Sequence, residues 1–138
     1  MKSKLVPYLN FNGNTKEAME FYQSVLGGEL TLQTFGESGM EVKGEMKNGI
    51  MHAELKNEEL TFMASDAMQT TEMGDNIHMS LIGTEEEKLT EFFNKLKEGG
   101  QIDMPLEKAP WGDIFGMLTD KFGVHWMVNI SDGEQKPS

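Results

Sequence analysis

The chain has 138 residues, a formal net charge of -11 and no cysteine, and this composition fits a single compact domain. The acidic charge repels phosphate backbones, which excludes nucleic acid as an expected partner, and no stretch reaches the roughly 20 apolar residues of a membrane span. Without cysteine there is no disulfide, thiolate metal site or cysteine nucleophile, so we expect a cytoplasmic protein with no membrane partner.

The first half of the chain predicts a strand, a helix and three more strands. Residues 4–11 predict a strand, and Pro7 indicates either an edge strand or a position near a sheet boundary. Residues 15–26 carry apolar side chains at helical spacing, and Gly27-Gly28 ends that helix. Strand patterns follow at residues 29–35, 50–56 and 60–66, whereas residues 36–48 predict a loop or a weak hairpin.

The second half predicts the same order after a polar linker over residues 67–75. A strand over residues 76–82 precedes a helix that Thr84 caps, with Glu87 at the capping-box position. The remaining strand patterns cover residues 102–106, 114–119 and 124–130, and residues 131–138 predict a disordered tail.

The two halves also repeat a local sequence. In each, an amphipathic helix ends at a glycine pair, Gly27-Gly28 or Gly99-Gly100, and a strand follows. Such a repeat implies two similar modules, neither of which can bury its sheet alone. We therefore expect a binding site between them.

Two tandem βαβββ modules with Phe21-Tyr22 and Leu26-Gly27-Gly28 near the start resemble the glyoxalase/bleomycin-resistance/extradiol-dioxygenase group, or vicinal oxygen chelate superfamily. Residues 111–130, 51–55 and 60–66 resemble its PhnB-like branch. The resemblance implies an α+β fold in one domain over residues 4–130, with modules at about 4–66 and 76–130. It also implies a curved sheet around a cavity, and a homodimer.

Metal-dependent members of this group place ligands on the first and last strands of each module, usually His or Gln, Glu, His and Glu. The last strand holds Met127 at the matching position, which is not a ligand of that set. The other two strands offer none either, since the first has Val6, Pro7 and Tyr8 and the fourth has Phe62, Met63 and Ala64. His78 alone matches. The resemblance therefore implies that the usual metal site is lost.

A shifted metal site is an alternative. His52 and Glu54 are two residues apart and so share one face of a strand. Together with His78 they would make a set suited to Fe(II), Zn²⁺ or Mn²⁺. The same spacing also describes the polar face of a half-exposed strand. A divalent metal is therefore a possible cofactor, and no cofactor is assigned.

The candidate ligand-binding residues are one histidine, two aromatic side chains, an amide and a thioether: His78, Trp111, Tyr8, Asn10 and Met127. Trp111 lies in a predicted turn, where its ring could cover a cavity or stack on a flat ligand. Tyr8 and Asn10 share one strand face. His125 is instead interpreted as a hydrogen-bonded strand histidine.

Three functions remain open. The first is a small-molecule binding protein with its cavity between the modules. The second is a metal-dependent lyase, isomerase or dioxygenase with a shifted site around His78. The third is a structural or regulatory dimer without a ligand. The chain has no G-x-S-x-G elbow and no G-x-G-x-x-G turn, which argues against acyl-transfer and dinucleotide chemistry.

Overall fold

The computed structural model describes residues 3–132, and the chain divides into two units after Glu72. Each unit contains one four-stranded sheet and one long helix, which confirms the α+β class and the two tandem modules. Residues 133–138 of the predicted disordered tail lie outside the described residues. Ser131, the first residue of the predicted tail, is described, and its backbone nitrogen donates to the carbonyl oxygen of Gly83 over 2.8 Å.

The strands of the first unit pair in the order β1-β4-β3-β2. Strand β1 is parallel to β4, and the other pairs are antiparallel. Strand β1 therefore lies at an edge, which is one of the two positions that Pro7 indicates. The elements of this sheet and its helix are β1 (Tyr8–Phe11), α1 (Thr15–Leu26), β2 (Glu29–Thr34), β3 (Ile50–Lys56) and β4 (Thr61–Asp66).

Helix α1 covers one face of this sheet. Its predicted apolar side chains are buried, Met19 and Tyr22 completely, and the Tyr22 ring lies 5.7 Å from that of Phe62 on β4. Asp66 fixes the start of the helix, because its two carboxylate oxygens accept hydrogen bonds from the backbone nitrogens of Thr15 and Ile50, at 3.0 and 2.8 Å. The carboxylate thus joins α1 to β3.

The segment over residues 36–48 differs from the predicted loop or hairpin. It forms a short helix, α2 (Phe35–Ser38), and a 3-10 helix over Gly44–Asn48. Thr34 and Glu37 make a reciprocal capping box, and Phe35 is buried. Gly39 then ends α2 with a φ of 82°, a conformation that favours glycine. This local capping stabilises a turn of helix too short to show a periodic pattern.

The second unit repeats the arrangement, with strand order β5-β8-β7-β6. Helix α3 buries Leu89, Phe93 and Leu96 against its sheet. None of the helices in the described part of the chain has the length and apolar content that crossing a bilayer requires. The elements are β5 (Met79–Gly83), α3 (Glu86–Leu96), β6 (Gln101–Lys108), β7 (Ile114–Thr119) and β8 (His125–Ile130).

The prediction that Thr84 caps α3 is wrong. Glu85 is the N-cap residue, and no side chain bonds to the helix start. The first helical bond runs from the nitrogen of Leu89 to the carbonyl of Glu85. Residues 84–87 are all exposed, so water can satisfy the free backbone donors there and a side-chain cap is not required.

Candidate functional site

In each unit one face of the sheet packs on the helix, and the candidate residues lie on the other face, here called the distal face. Strand alternation and register define it. On the first sheet, Phe62 and Ala64 point towards α1, so Met63 and Ser65 point away. On the second sheet, a Cβ on Gly116 would lie 2.8 Å from the ring of Phe93 on α3, so its neighbours on β7 point away from that helix.

The distal face of the first sheet is mostly polar, whereas that of the second combines polar, aromatic and methionine side chains. The first distal face consists of Tyr8, Asn10, Glu29, Thr31, Gln33, His52, Glu54, Lys56, Thr61, Met63 and Ser65. The second consists of Ser80, Ile82, Gln101, Met104, Glu107, Phe115, Met117, Thr119, His125, Met127 and Asn129. Asp103 has no partner in the register, but its hydrogen bond to Thr119 brings its carboxylate to the same face.

The structure brings two predicted site residues of the first unit together. The hydroxyl of Tyr8 lies 3.4 Å from Nδ1 of His52, and the two rings are 6.1 Å apart. Tyr8 reaches across β4 to do this, because β1 and β3 flank that strand. Next to them, Oδ1 of Asn10 accepts a hydrogen bond from Ser65 over 3.2 Å. Tyr8 is 47% exposed, so its phenol is open to contact.

The residues of this face do not fit a metal centre. Glu54 does share the face with His52, as predicted from their spacing. Across residues 3–132, however, no three or more histidine, aspartate or glutamate side chains are arranged to hold a metal ion.

Aromatic and thioether groups occupy part of the second unit's distal face. Trp111 lies in the turn before β7, is 55% exposed, and contacts the ring of Phe115 edge-on at 5.3 Å. Met127 pairs with Met117 on the neighbouring strand. Beside Phe115, the side-chain amide of Asn129 donates to Asp113 over 3.0 Å. This group offers flat apolar surface beside hydrogen-bonding groups, a combination found in small-molecule sites.

His78 lies just before β5, and its ring is 5.3 Å from that of His125. His125 is hydrogen bonded through both ring nitrogens, as interpreted from the sequence. Its Nδ1 lies 2.8 Å from the hydroxyl of Thr119, and its Nε2 lies 3.0 Å from the carbonyl oxygen of Gly74. His125 thus connects the sheet to the segment that leads into His78.

The hydrogen bonds of His125 continue through Thr119 to the carboxylate of Asp103. The Thr119 hydroxyl donates to Oδ2 of Asp103 over 2.7 Å, and the side-chain amide of Gln101 donates to Oδ1 over 2.7 Å. These two bonds, that from Thr119 first, lower the pKa of Asp103 below its usual value. Burial opposes the change slightly, and the nearby histidines His125 and His78 add a smaller lowering of the pKa.

Asp103, Thr119, Ser65 and Phe115 were not among the predicted site residues. Thr119 and His125 could have been paired, because the predicted hairpin turn lies between them and they are opposite in register. Asp103 carried no such signal. It stands on an exposed strand whose register shifts on either side of Met104, so alternation alone does not identify its neighbours.

A separate recess of about 670 Å³ lies beside the first turn of α1 in the first unit. Its walls include Lys16, Glu17, Glu20 and Glu45. Asp66 also borders it, but its carboxylate oxygens already accept the two backbone bonds that hold α1 to β3. None of the predicted site residues borders this recess.

The sequence and the fold match known proteins over nearly the whole chain. The sequence model of the Glyoxalase/Bleomycin resistance protein/Dioxygenase superfamily matches residues 4–128. Protein YjdN of Escherichia coli (strain K12) is 33% identical, with 91% of this chain and 94% of YjdN covered.

Two solved structures are also similar. Protein PA1353 of Pseudomonas aeruginosa superposes with a TM-score of 0.83 at 38% identity, covering 94% of this chain and 98% of that one. The PhnB protein of Bacillus cereus, described as a candidate 3-demethylubiquinone-9 3-methyltransferase, gives 0.77 at 28%, covering 94% and 100%.

Proposed function

The chain belongs to the Glyoxalase/Bleomycin resistance protein/Dioxygenase superfamily, and we propose that it binds a small organic molecule on the distal faces of its sheets. The single observation that carries the proposal is the composition of those faces. Each carries an exposed aromatic ring that contacts a half-buried one beside hydrogen-bonding side chains. These are Tyr8 with His52 on the first face and Trp111 with Phe115 on the second. That the ligand lies between the two modules stays a prediction.

The chemistry of these faces indicates the class of ligand. The ring of Trp111 is about half exposed and is supported by an edge contact with Phe115. A flat ligand ring can therefore stack on it without any rearrangement of the core. Met117 and Met127, which pair on neighbouring strands, have flexible thioether side chains of the kind that adapt to ligands of different shape. The net charge of -11 favours neutral or cationic molecules over anions. A flat, neutral or cationic molecule therefore fits best.

A matched pair of probes tests this proposal. Tryptamine and indole-3-acetate share an indole ring but carry opposite charges at neutral pH. We expect tryptamine, added to protein with ¹³C-labelled methionine methyl groups, to shift the signals of Met117 and Met127. Indole-3-acetate should bind more weakly, because the acidic surface repels it.

Met40 and Met68 are the internal controls, since both are exposed but lie outside the two distal faces. Equal shifts at these methionines would indicate non-specific contact and contradict the proposal. So would the absence of shifts with both probes up to millimolar concentrations, or stronger binding of the anionic probe.

We also propose a cytoplasmic homodimer. Support comes from the absence of cysteine in the sequence and from the resemblance to a group whose members commonly dimerise. Light scattering coupled to size exclusion, at micromolar protein concentration, should give twice the 15.5 kDa chain mass. A mass of one chain would contradict the dimer but not the ligand proposal.

A further inference from the structure

The sequence contains two Asn-Gly pairs, Asn12-Gly13 and Asn48-Gly49, and both lie in the first unit. An asparagine side chain cyclises most readily when glycine follows it, because glycine has no Cβ to hinder the approach of its backbone nitrogen. The two pairs therefore have similar reactivity in an unfolded chain. In the folded protein their hydrogen bonds differ.

The side chain of Asn12 is held at both ends of its amide group. Its Nδ2 donates to the carbonyl oxygen of Thr71 over 2.8 Å, and its Oδ1 accepts from the Thr71 backbone nitrogen over 2.7 Å. Cyclisation requires Cγ of Asn12 to turn towards the backbone nitrogen of Gly13, and this rotation breaks both bonds. Asn12 is exposed, but its amide group is fixed.

Asn48 is the last residue of the 3-10 helix over Gly44–Asn48, and its side chain is exposed. Within the part of the chain that the structure describes, this side chain makes no hydrogen bond. The backbone nitrogen of Gly49 donates to the carbonyl oxygen of Met46 over 3.0 Å. That single bond closes the end of a mostly exposed turn, where local opening costs little free energy. Cyclisation therefore breaks one bond at Asn48 and two at Asn12.

We propose that Asn48 is a site of spontaneous deamidation. The backbone nitrogen of Gly49 attacks Cγ of Asn48, a five-membered succinimide closes, and the side-chain nitrogen leaves as ammonia with the proton that the Gly49 nitrogen gives up. Water then opens the ring at either carbonyl and leaves aspartate or isoaspartate. One water is consumed, one ammonia is released, and no oxidant or cofactor takes part. The inference goes beyond the proposed ligand binding and does not depend on it.

The structure indicates what this modification changes. Isoaspartate adds one carbon to the main chain between the 3-10 helix and β3. The next two residues both make hydrogen bonds there. The carbonyl oxygen of Gly49 accepts from the nitrogen of Phe35 over 3.0 Å, and the nitrogen of Ile50 donates to Asp66 over 2.8 Å. A longer main chain weakens these two bonds and displaces one wall of the recess beside α1, which Asn48 and Gly49 line.

Peptide mass spectrometry of the full chain, incubated at mildly alkaline pH in oxygen-18 water, tests the site. Digestion after lysine separates the two pairs, because Lys47 directly precedes Asn48 and Asn12 lies between Lys4 and Lys16. In the folded protein we expect labelled aspartate and isoaspartate to form about fivefold faster at residue 48 than at residue 12, as one additional net hydrogen bond predicts. In guanidinium chloride the two rates should become similar. The label excludes deamidation during digestion.

Several results would overturn the proposal. One is an equal or faster reaction at Asn12 in the folded chain. Another is an Asn48 that stays intact while the denatured chain reacts. A ratio of rates that is the same in guanidinium chloride would assign the difference to the flanking sequence rather than to the fold. Aspartate without isoaspartate would contradict the succinimide.

Variants separate the effect of the longer main chain from that of the added charge. Asn48→Asp carries the charge on a normal main chain, and Asn48→Ser cannot form the succinimide. We expect faster amide hydrogen exchange at Phe35 and Ile50 in the incubated wild type, in the fraction that anion exchange separates from the unmodified chain. Asn48→Asp and incubated Asn48→Ser should keep the exchange of the unmodified wild type. Faster exchange in incubated Asn48→Ser would assign the change to another residue and overturn the structural effect proposed for Asn48.

Discussion

The indole nitrogen of Trp126 donates a hydrogen bond to Oδ2 of Asp120 over 2.8 Å, and both side chains are buried. The other carboxylate oxygen accepts from the backbone nitrogens of Phe122 and Val124, at 2.8 and 3.1 Å. One carboxylate thus shapes the turn between β7 and β8 and also holds the largest buried side chain of the second core.

Replacing Asp120 with alanine should lower the free energy of unfolding by about 2–4 kcal/mol, because hydrogen bonds to a charged group are lost inside the protein. Urea unfolding followed by circular dichroism measures the change. Asp75→Ala is the matched control, since Asp75 is exposed, and it should stay within about 0.5 kcal/mol of the wild type. Equal losses in both variants would show that Asp120 has no special role.

The second prediction concerns Asp103 and pH. Its pKa is lowered in the folded protein, chiefly by the Thr119 and Gln101 hydrogen bonds, so folding favours the carboxylate form. This contribution is fully present above the ordinary aspartate pKa of about 3.9 and is lost as pH falls through the lowered, folded-state pKa. Asp103→Asn removes it.

Asp103 is exposed, so the stability difference between wild type and Asp103→Asn at pH 7 should be no more than about 1 kcal/mol. It should shrink as the pH falls below 4. Paired urea titrations at several pH values measure this, with Asp75→Asn as the control. If the stability difference between wild type and Asp103→Asn instead grows on acidification, the pKa of Asp103 is raised rather than lowered in the folded protein.

The repeat and the binary pattern were enough to predict the two modules. Buried positions on α1, from Ala18 to Leu26, follow the helical period, and each glycine pair precedes a strand. The structure of residues 36–48 could not be predicted from a periodic apolar pattern. The four-residue helix there is too short to show one, and it is stabilised by one capping box and by burial of Phe35. The start of α3 was misplaced for a related reason, since no side chain marks it.

Within the site, the sequence predicts which side chains of one strand share a face, because side chains alternate along a strand. It does not predict which strands lie side by side. Tyr8 and Asn10 were placed on one face from their spacing, but the approach of Tyr8 to His52 depends on β4 lying between their strands. That strand order brings together residues 44 apart in sequence. Likewise, the link from His125 to Gly74 depends on the path of a non-periodic segment.

The third prediction tests the packing of α3 on its sheet. A Cβ at Gly116 would lie 2.8 Å from Phe93 and 2.9 Å from the backbone of Leu106, so the helix or the neighbouring strand would have to move. Gly116→Ala should therefore cost about 1–3 kcal/mol of unfolding free energy, the usual range for overpacking.

Gly74→Ala is the control for Gly116→Ala. Its new Cβ would meet only the side-chain oxygen of Asn76, at an ordinary 3.5 Å, and no positive φ opposes the substitution. Thermal or urea unfolding of the two variants should separate them clearly. Similar stability for both would show that α3 can shift without loss of packing.

The last prediction concerns the two tryptophans, whose environments differ sharply. Trp111 is 55% exposed and Trp126 is 1% exposed. Acrylamide should therefore quench the fluorescence of Trp111 strongly and that of Trp126 very little. Trp111→Phe should remove the quenchable, red-shifted component and leave emission from a buried indole, while stability changes little because the ring lies at the surface. Retention of strong quenching in Trp111→Phe would contradict this assignment. Weak quenching of the wild type would show that another surface covers Trp111 in solution, and would remove that ring from the proposed ligand-binding face.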